Sequence, residues 1–175
     1  MNSVREEWGL GSEEIKEKNL WSCYSLPIKV AQVKKIIKDE PHVYLILINT
    51  PDEVVIAGQP KACEKIINKL DCPINVLSIH DVVHCKPVKK EFNEIKRIHT
   101  DIVVKKPNID FYSASNYEKT KLDSETLSNN IATIYGKTVD YIRLVEKVFD
   151  DGARIFIDLG PRSTCSKWIS AILKN

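Results

Sequence analysis

His84 lies in the run Asp81-Val82-Val83-His84-Cys85-Lys86-Pro87-Val88. An imidazole titrates near neutral pH, so it can take a proton from a hydroxyl and return it to a leaving thiol. It follows a predicted strand, in a loop, where catalytic side chains are often held. The alternative is a partly buried histidine satisfied by a backbone carbonyl, and the residues alone favour that alternative. Cys85 is a second nucleophile by type. Neighbours in an extended loop point to opposite sides, which makes a Cys–His hydrogen bond hard to form, so a buried inert thiol is expected. His80 and His84 are four apart, a metal-binding spacing on a helix. Strand and proline signals oppose a helix there, and no carboxylates complete a set, so no metal is expected. His42 and His99 read as ordinary edge residues.

Other signatures are missing from these 175 residues. There is no GxSxG nucleophile elbow, no Walker loop and no GxGxxG. Gly160-Pro161-Arg162-Ser163 precedes a predicted helix, whose N–H groups could hold an anion. A capped turn explains the same residues.

The elements that must position His84 are legible from periodicity. Leu20 to Ile28 is predicted as a strand. Val30, Val33, Ile36 and Ile37 mark an amphipathic helix. His42 to Asn49 and Glu53 to Ala57 form two strands around the turn residues Thr50-Pro51-Asp52. Pro60 suits a first helical turn, and Ala62, Cys63, Ile66, Ile67 and Leu70 recur at helical spacing. Ile74 to Ile79 is a fourth strand. The order β-α-β-β-α-β over residues 20–80 is the ferredoxin-like split βαβ arrangement.

Past His84, Val88, Phe92, Ile95 and Ile98 share a helical face, and Asn108 to Ser113 is a predicted strand. Asp123 or Ser124 can cap a helix through Tyr135, and a second helix runs to Asp151-Gly152. Ala153 to Leu159 is predicted as a strand buried on one face or both. Ser163 or Thr164 caps a last helix with Trp168, Ile169 and Ile172. Residues 1–19 read as a charged helical segment, with Ser12 as a helix N-cap ahead of Glu13-Glu14.

Composition narrows the partners. The 26 basic and 24 acidic residues leave a net charge of +2, too little to argue for nucleic acid or an anionic membrane. No apolar run reaches the roughly 18 residues that cross a bilayer. The first residues are acidic and lack a signal-peptide core, so a cytoplasmic location is expected. The five cysteines are odd in number and form no CxxC pair, which fits reduced thiols.

Several segments together carry a resemblance. Asn49 to Gly58 resembles the N-x-P-x-x-V-V-I-A-G stretch of the malonyl-CoA:acyl-carrier-protein transacylase family. His84, with Pro87 three residues on, resembles that family's general-base segment. Phe111-Tyr112-Ser113 and Gly152 to Pro161 resemble its later strands. The last segment is most similar to acyltransferase domains of polyketide, polyunsaturated fatty acid and heterocyst-glycolipid-type synthases.

The resemblance implies an α/β fold: a ferredoxin-like small subdomain (20–80), then the C-terminal part of an α/β-hydrolase-like subdomain (81–175). It implies ping-pong transfer of a malonyl-type group, with acyl-CoA and the phosphopantetheine of an acyl carrier protein as substrates and no bound cofactor. His84 matches the catalytic base. A backbone carbonyl shortly before Val139-Asp140-Tyr141 should orient it, as the acid does in a protease triad. Asn49 matches a substrate-side residue near the cleft, in a supporting role.

The family's serine elbow, oxyanion-hole residues and carboxylate-binding arginine should lie upstream of residue 1. Met1 then reads as the start of a truncated or split frame, and the chain as inactive alone. Asp81-Val82-Val83-His84 matches neither common acyl-selecting pattern. Val54, Ile155 and Ile157 are expected at an exposed apolar seam for the missing half. The competing reading is a non-catalytic docking module, with Lys86, Lys89, Lys90, Lys96 and Arg97 meeting an acidic carrier protein.

Overall fold

The computed structural model describes residues 2–11, 20–101, 105 and 108–174. The helix start expected at Ser12 lies outside them. A helix does open the chain, α1 (Asn2–Glu7).

The βαββαβ order is observed: β1 (Ser22–Leu26), α2 (Val30–Ile36), β2 (Val43–Thr50), β3 (Glu53–Gly58), α3 (Pro60–Ile67) and β4 (Asn75–Leu77). Within the sheet the strands lie in the order β4-β1-β3-β2, all antiparallel. A short strand, β7 (Val139–Asp140), pairs parallel with the outer edge of β2. The C-terminal part of the chain thus contributes to the same sheet.

The central strand β3 is buried on both faces, as its unbroken apolar run requires. Val54 and Ile56 pack with Val33, Cys63 and Ile66 of the helices α2 and α3. Val55 and Ala57 pack on the opposite side with Trp8, Trp21, Val88, Ile95 and Ala132. That second layer comes from α1, a 3₁₀ turn (Lys86–Glu91), α4 (Phe92–Ile98) and α5 (Ser124–Tyr135). Val54 is therefore fully buried rather than at a seam, because it sits under the helices of its own subdomain. At the end of β3, a Cβ on Gly58 would collide with the His42 carbonyl oxygen, so only glycine lets the strands close there.

Strand β2 has two register shifts against β3, between Leu45 and Leu47 and between Ile48 and Thr50. The first lets Leu45 and Ile48, three apart, face the same helices while Ile46 faces the other layer. The second falls at Asn49.

Helix α5 is capped by Asp123, whose carboxylate accepts the Thr126 N–H at 2.7 Å. Asp140 caps α6 (Tyr141–Asp150) in the same way, accepting from Arg143 at 3.3 Å. Three expectations change. The strand at 108–113 is shorter, β5 (Phe111–Ser113), and is half of a hairpin with β6 (Glu118–Thr120), whose polar sequence hid it. Ile98 is exposed, because α4 ends beside it. Residues 153–159 pair with no strand among the described residues and carry their aliphatic side chains in solvent. The last helix, α7 (Thr164–Ile172), turns Ile172 inward. Among the described residues no helix is long and apolar enough to cross a membrane.

Candidate active site

The loop between β4 and the 3₁₀ turn is anchored to the C-terminal end of α5. A helix leaves its last carbonyls without intrahelical partners. The Nδ1 of His84 lies 2.8 Å from the Ile134 carbonyl oxygen, and the Cys85 N–H donates to the Tyr135 carbonyl at 3.3 Å. The Tyr135 ring lies 6.3 Å from the imidazole, tilted by 48°. Because a carbonyl only accepts, Nδ1 must carry the proton, and Nε2 keeps its lone pair for a reacting group. The Ile134 carbonyl lies upstream of Val139, where the resemblance implies an orienting carbonyl, and the same contact is what a histidine satisfied by a backbone carbonyl would make.

His84 adopts a left-handed backbone, with φ at 59°. That conformation is uncommon outside glycine and costs of order 1–3 kcal/mol, which the two α5 carbonyls help to offset. Burial lowers the imidazole pKa below its ordinary 6.5, opposed in part by the Ile134 hydrogen bond, so the neutral base form persists into mild acid. His84 lines a recess of about 260 Å³ together with Ile37, Tyr44, Leu45, Thr138, Lys34 and Lys86.

Cys85 behaves differently from its neighbour. Burial pushes its thiol up to about 12, so it holds its proton at neutral pH and is no nucleophile. His80 is exposed, and among the described residues no group of three or more His, Cys, Asp or Glu gathers as a metal site. His99 caps its own helix, with Nδ1 2.7 Å from the Ile95 carbonyl.

Asn49 lies elsewhere. It occupies the second register shift of β2, near the end of that strand opposite to the Tyr44–Leu45 stretch beside His84. Its Nδ2 donates to Glu53 Oε1 at 2.9 Å, and Trp168 Nε1 donates to Glu53 Oε2 at 3.3 Å. Both residues line an open cavity of about 680 Å³ between the β2–β3 turn and α7, with Ser25, Leu77, Lys167 and Trp168. The two cavities share no lining residue, so the structure does not bring Asn49 to His84. Glu53 and Trp168 escaped the sequence reading. The available signal was that Asn49 and Glu53 flank a tight turn and must face each other.

The Gly160–Ser163 turn already holds an anion of its own. The Asp158 carboxylate accepts the Gly160 N–H at 2.8 Å and the Ser166 N–H at 3.1 Å, which keeps its pKa below the ordinary carboxylate value. Asp158 thus does the capping expected of Ser163 or Thr164; Ser163 makes no side-chain cap bond. Among the basic residues past His84, Lys90 pairs with Glu7 at 3.2 Å, Lys96 with Glu125 at 3.5 Å and Arg97 with Glu94 at 2.6 Å.

Comparison with known proteins bears on the fold. No family model matches the chain. It is 26% identical, over 98% of its length, to a stretch of a polyunsaturated fatty acid synthase component from Thraustochytrium sp. (strain ATCC 26185 / S-3). That stretch is 9% of the synthase component. The malonyl-CoA:acyl-carrier-protein transacylase of Clostridium perfringens superimposes with a TM-score of 0.75 at 24% identity, covering 93% of this chain and 53% of that one. A malonyl-transacylase solved in complex with a type II polyketide acyl-carrier protein superimposes with a TM-score of 0.78 at 15% identity. There the coverage is 99% of this chain and 56% of the other. The chain therefore has the fold of these malonyl-transacylases, over about half the length of those solved chains.

Proposed function

We propose that this chain is the C-terminal, histidine-bearing portion of an acyltransferase domain. The whole domain moves a malonyl-type group from CoA to the phosphopantetheine thiol of an acyl carrier protein. The observation that supports this most is the Nδ1 contact of His84 with the Ile134 carbonyl, which frees a neutral Nε2 as a base.

In this reading Nε2 takes the proton of a serine hydroxyl as the serine oxygen attacks the thioester carbonyl carbon. The carbon–sulfur bond then breaks, and CoA leaves as its thiol with the proton from Nε2. In the second half, Nε2 takes the carrier thiol's proton, sulfur attacks the acyl-serine, and the serine leaves reprotonated. The Ile134 carbonyl stabilises the transient imidazolium, the part an aspartate plays in a protease triad. No GxSxG pentapeptide lies in these 175 residues, so they do not complete the cycle by themselves. Asn49 supports the site by shaping the β2–β3 turn. The working location is the cytoplasm, where acyl-CoA and carrier protein occur.

The test combines the chain with a probe: the stretch that immediately precedes the matched segment in the Thraustochytrium synthase, where the resemblance puts the serine. Malonyl-CoA and a phosphopantetheinylated carrier protein are supplied. Transfer should appear only with both portions, and His84→Ala should lower its rate by about 10²–10⁴-fold. Unchanged transfer by the variant would favour the docking-module reading. Mass spectrometry of the lone chain with malonyl-CoA should show no covalent adduct; a stable one would contradict the assignment of His84 as base to a nucleophile outside these residues.

A further inference from the structure

Gly136 ends α5, two residues after the Ile134 whose carbonyl meets His84. It is buried. A Cβ at this position would lie 2.8 Å from Lys89 Cγ, 3.3 Å from Lys89 Cα and 3.4 Å from the Lys89 backbone nitrogen. Lys89 belongs to the 3₁₀ turn Lys86–Glu91, which begins directly after His84 and Cys85. The turn that carries the chain on from the imidazole thus lies against the end of α5 with no room for a methyl group between them.

Backbone conformation does not require this glycine. Its φ of −92° and ψ of 8° are those of an ordinary turn, open to most residues. Alanine is also the better helix former of the two. The requirement comes from the contact, and neither side can yield freely. Past Gly136 the chain is tied to β2, because Thr138 Oγ1 donates to the Leu45 carbonyl at 2.7 Å and Val139 pairs with Leu47. On the other side a new rotamer could move Lys89 Cγ, but its Cα and nitrogen would stay, and Val88 beside it is packed in the core. An added methyl must push the 3₁₀ turn away from α5. That movement lengthens the His84–Ile134 and Cys85–Tyr135 hydrogen bonds together.

We infer that Gly136 is a positioning residue for His84: its lack of a Cβ lets the Lys86–Glu91 turn seat on α5, which holds the imidazole on the Ile134 carbonyl. This rests on the reading of His84 as a base under Proposed function. Gly136 acts through Lys89 and is not among the residues that line the His84 recess.

The test is Gly136→Ala, made in the parent chain and again in a Lys89→Ala background that removes the Cγ. Nitrogen-15 NMR reads the His84 tautomer in each lone chain, and transfer is followed with the two portions combined as above. In the parent background the Nδ1–H form should give way to a mixture, and kcat should fall at least about tenfold with KM for malonyl-CoA within about twofold. In the Lys89→Ala background the same change should keep the Nδ1–H form and cost less than about threefold in kcat. Tautomer and kcat unmoved by Gly136→Ala would overturn the assignment. So would a fall in kcat with the Nδ1–H form intact, or an equal loss in both backgrounds. If Gly136→Ala does not fold, the double variant decides: a folded chain with His84 in the Nδ1–H form supports the contact as the cause, and an unfolded one overturns it. Absence of transfer by the parent pair would sink the function, and the tautomers of the lone chains would still decide the role of Gly136. A parent chain already in the Nε2–H form would overturn both.

Discussion

Strand β3 and the segment 153–159 both read in the sequence as short, largely apolar strands that end at a glycine. In the structure β3 is the best-covered strand of the molecule, while 153–159 displays three aliphatic side chains to solvent. An apolar pattern states that a segment requires cover; it does not say which part of which chain supplies it. Where βαββαβ folding brings its own helices back over the sheet, the requirement is met locally. Over 153–159 no described element lies across the aliphatic side chains, and the pattern is left bare.

The largest test of this contrast is truncation on each side. Ile56→Ala removes a fully buried side chain between β3 and the helices α2 and α3, and should cost about 2–5 kcal/mol in denaturant unfolding. A loss under 1 kcal/mol would mean that the sheet is not the core of the lone chain. A smaller effect is expected from Asn49→Ala, about 1 kcal/mol, because Glu53 loses one donor while keeping Trp168. If the variant also lowered transfer by the reconstituted pair as far as His84→Ala does, Asn49 would belong to the reacting centre and not to the turn. The smallest effect belongs to Ile157→Ala, within about 0.5 kcal/mol in the lone chain. A large loss there would show that 153–159 is covered after all.

Much of the βαββαβ order was legible from local punctuation, Pro60 at the start of α3 and Thr50-Pro51-Asp52 at the hairpin, and Asp123 marked the cap of α5 farther along the chain. The burial of Val54 was misjudged because periodicity gives two faces without saying which is covered by α2 and α3. The hairpin β5–β6 was half missed, since Glu118-Lys119-Thr120 has no apolar alternation and is held by pairing and by ion pairs such as Lys119–Asp110 at 2.9 Å. That His84 would meet a backbone carbonyl was legible from its type and place in a loop. The left-handed backbone at His84 and the Glu53–Trp168 link were not, because both depend on contacts between residues distant in the chain.

The central claim is that the fold presents His84 as a neutral base with Nε2 free. Nitrogen-15 NMR of the imidazole in the intact chain tests it directly. The expected result at pH 7 is a protonated Nδ1 and an unprotonated Nε2. The midpoint for gaining the second proton should lie below 6.5, because burial disfavours the charged ring. The Nε2–H tautomer, or an imidazolium already formed at pH 7, would contradict the account.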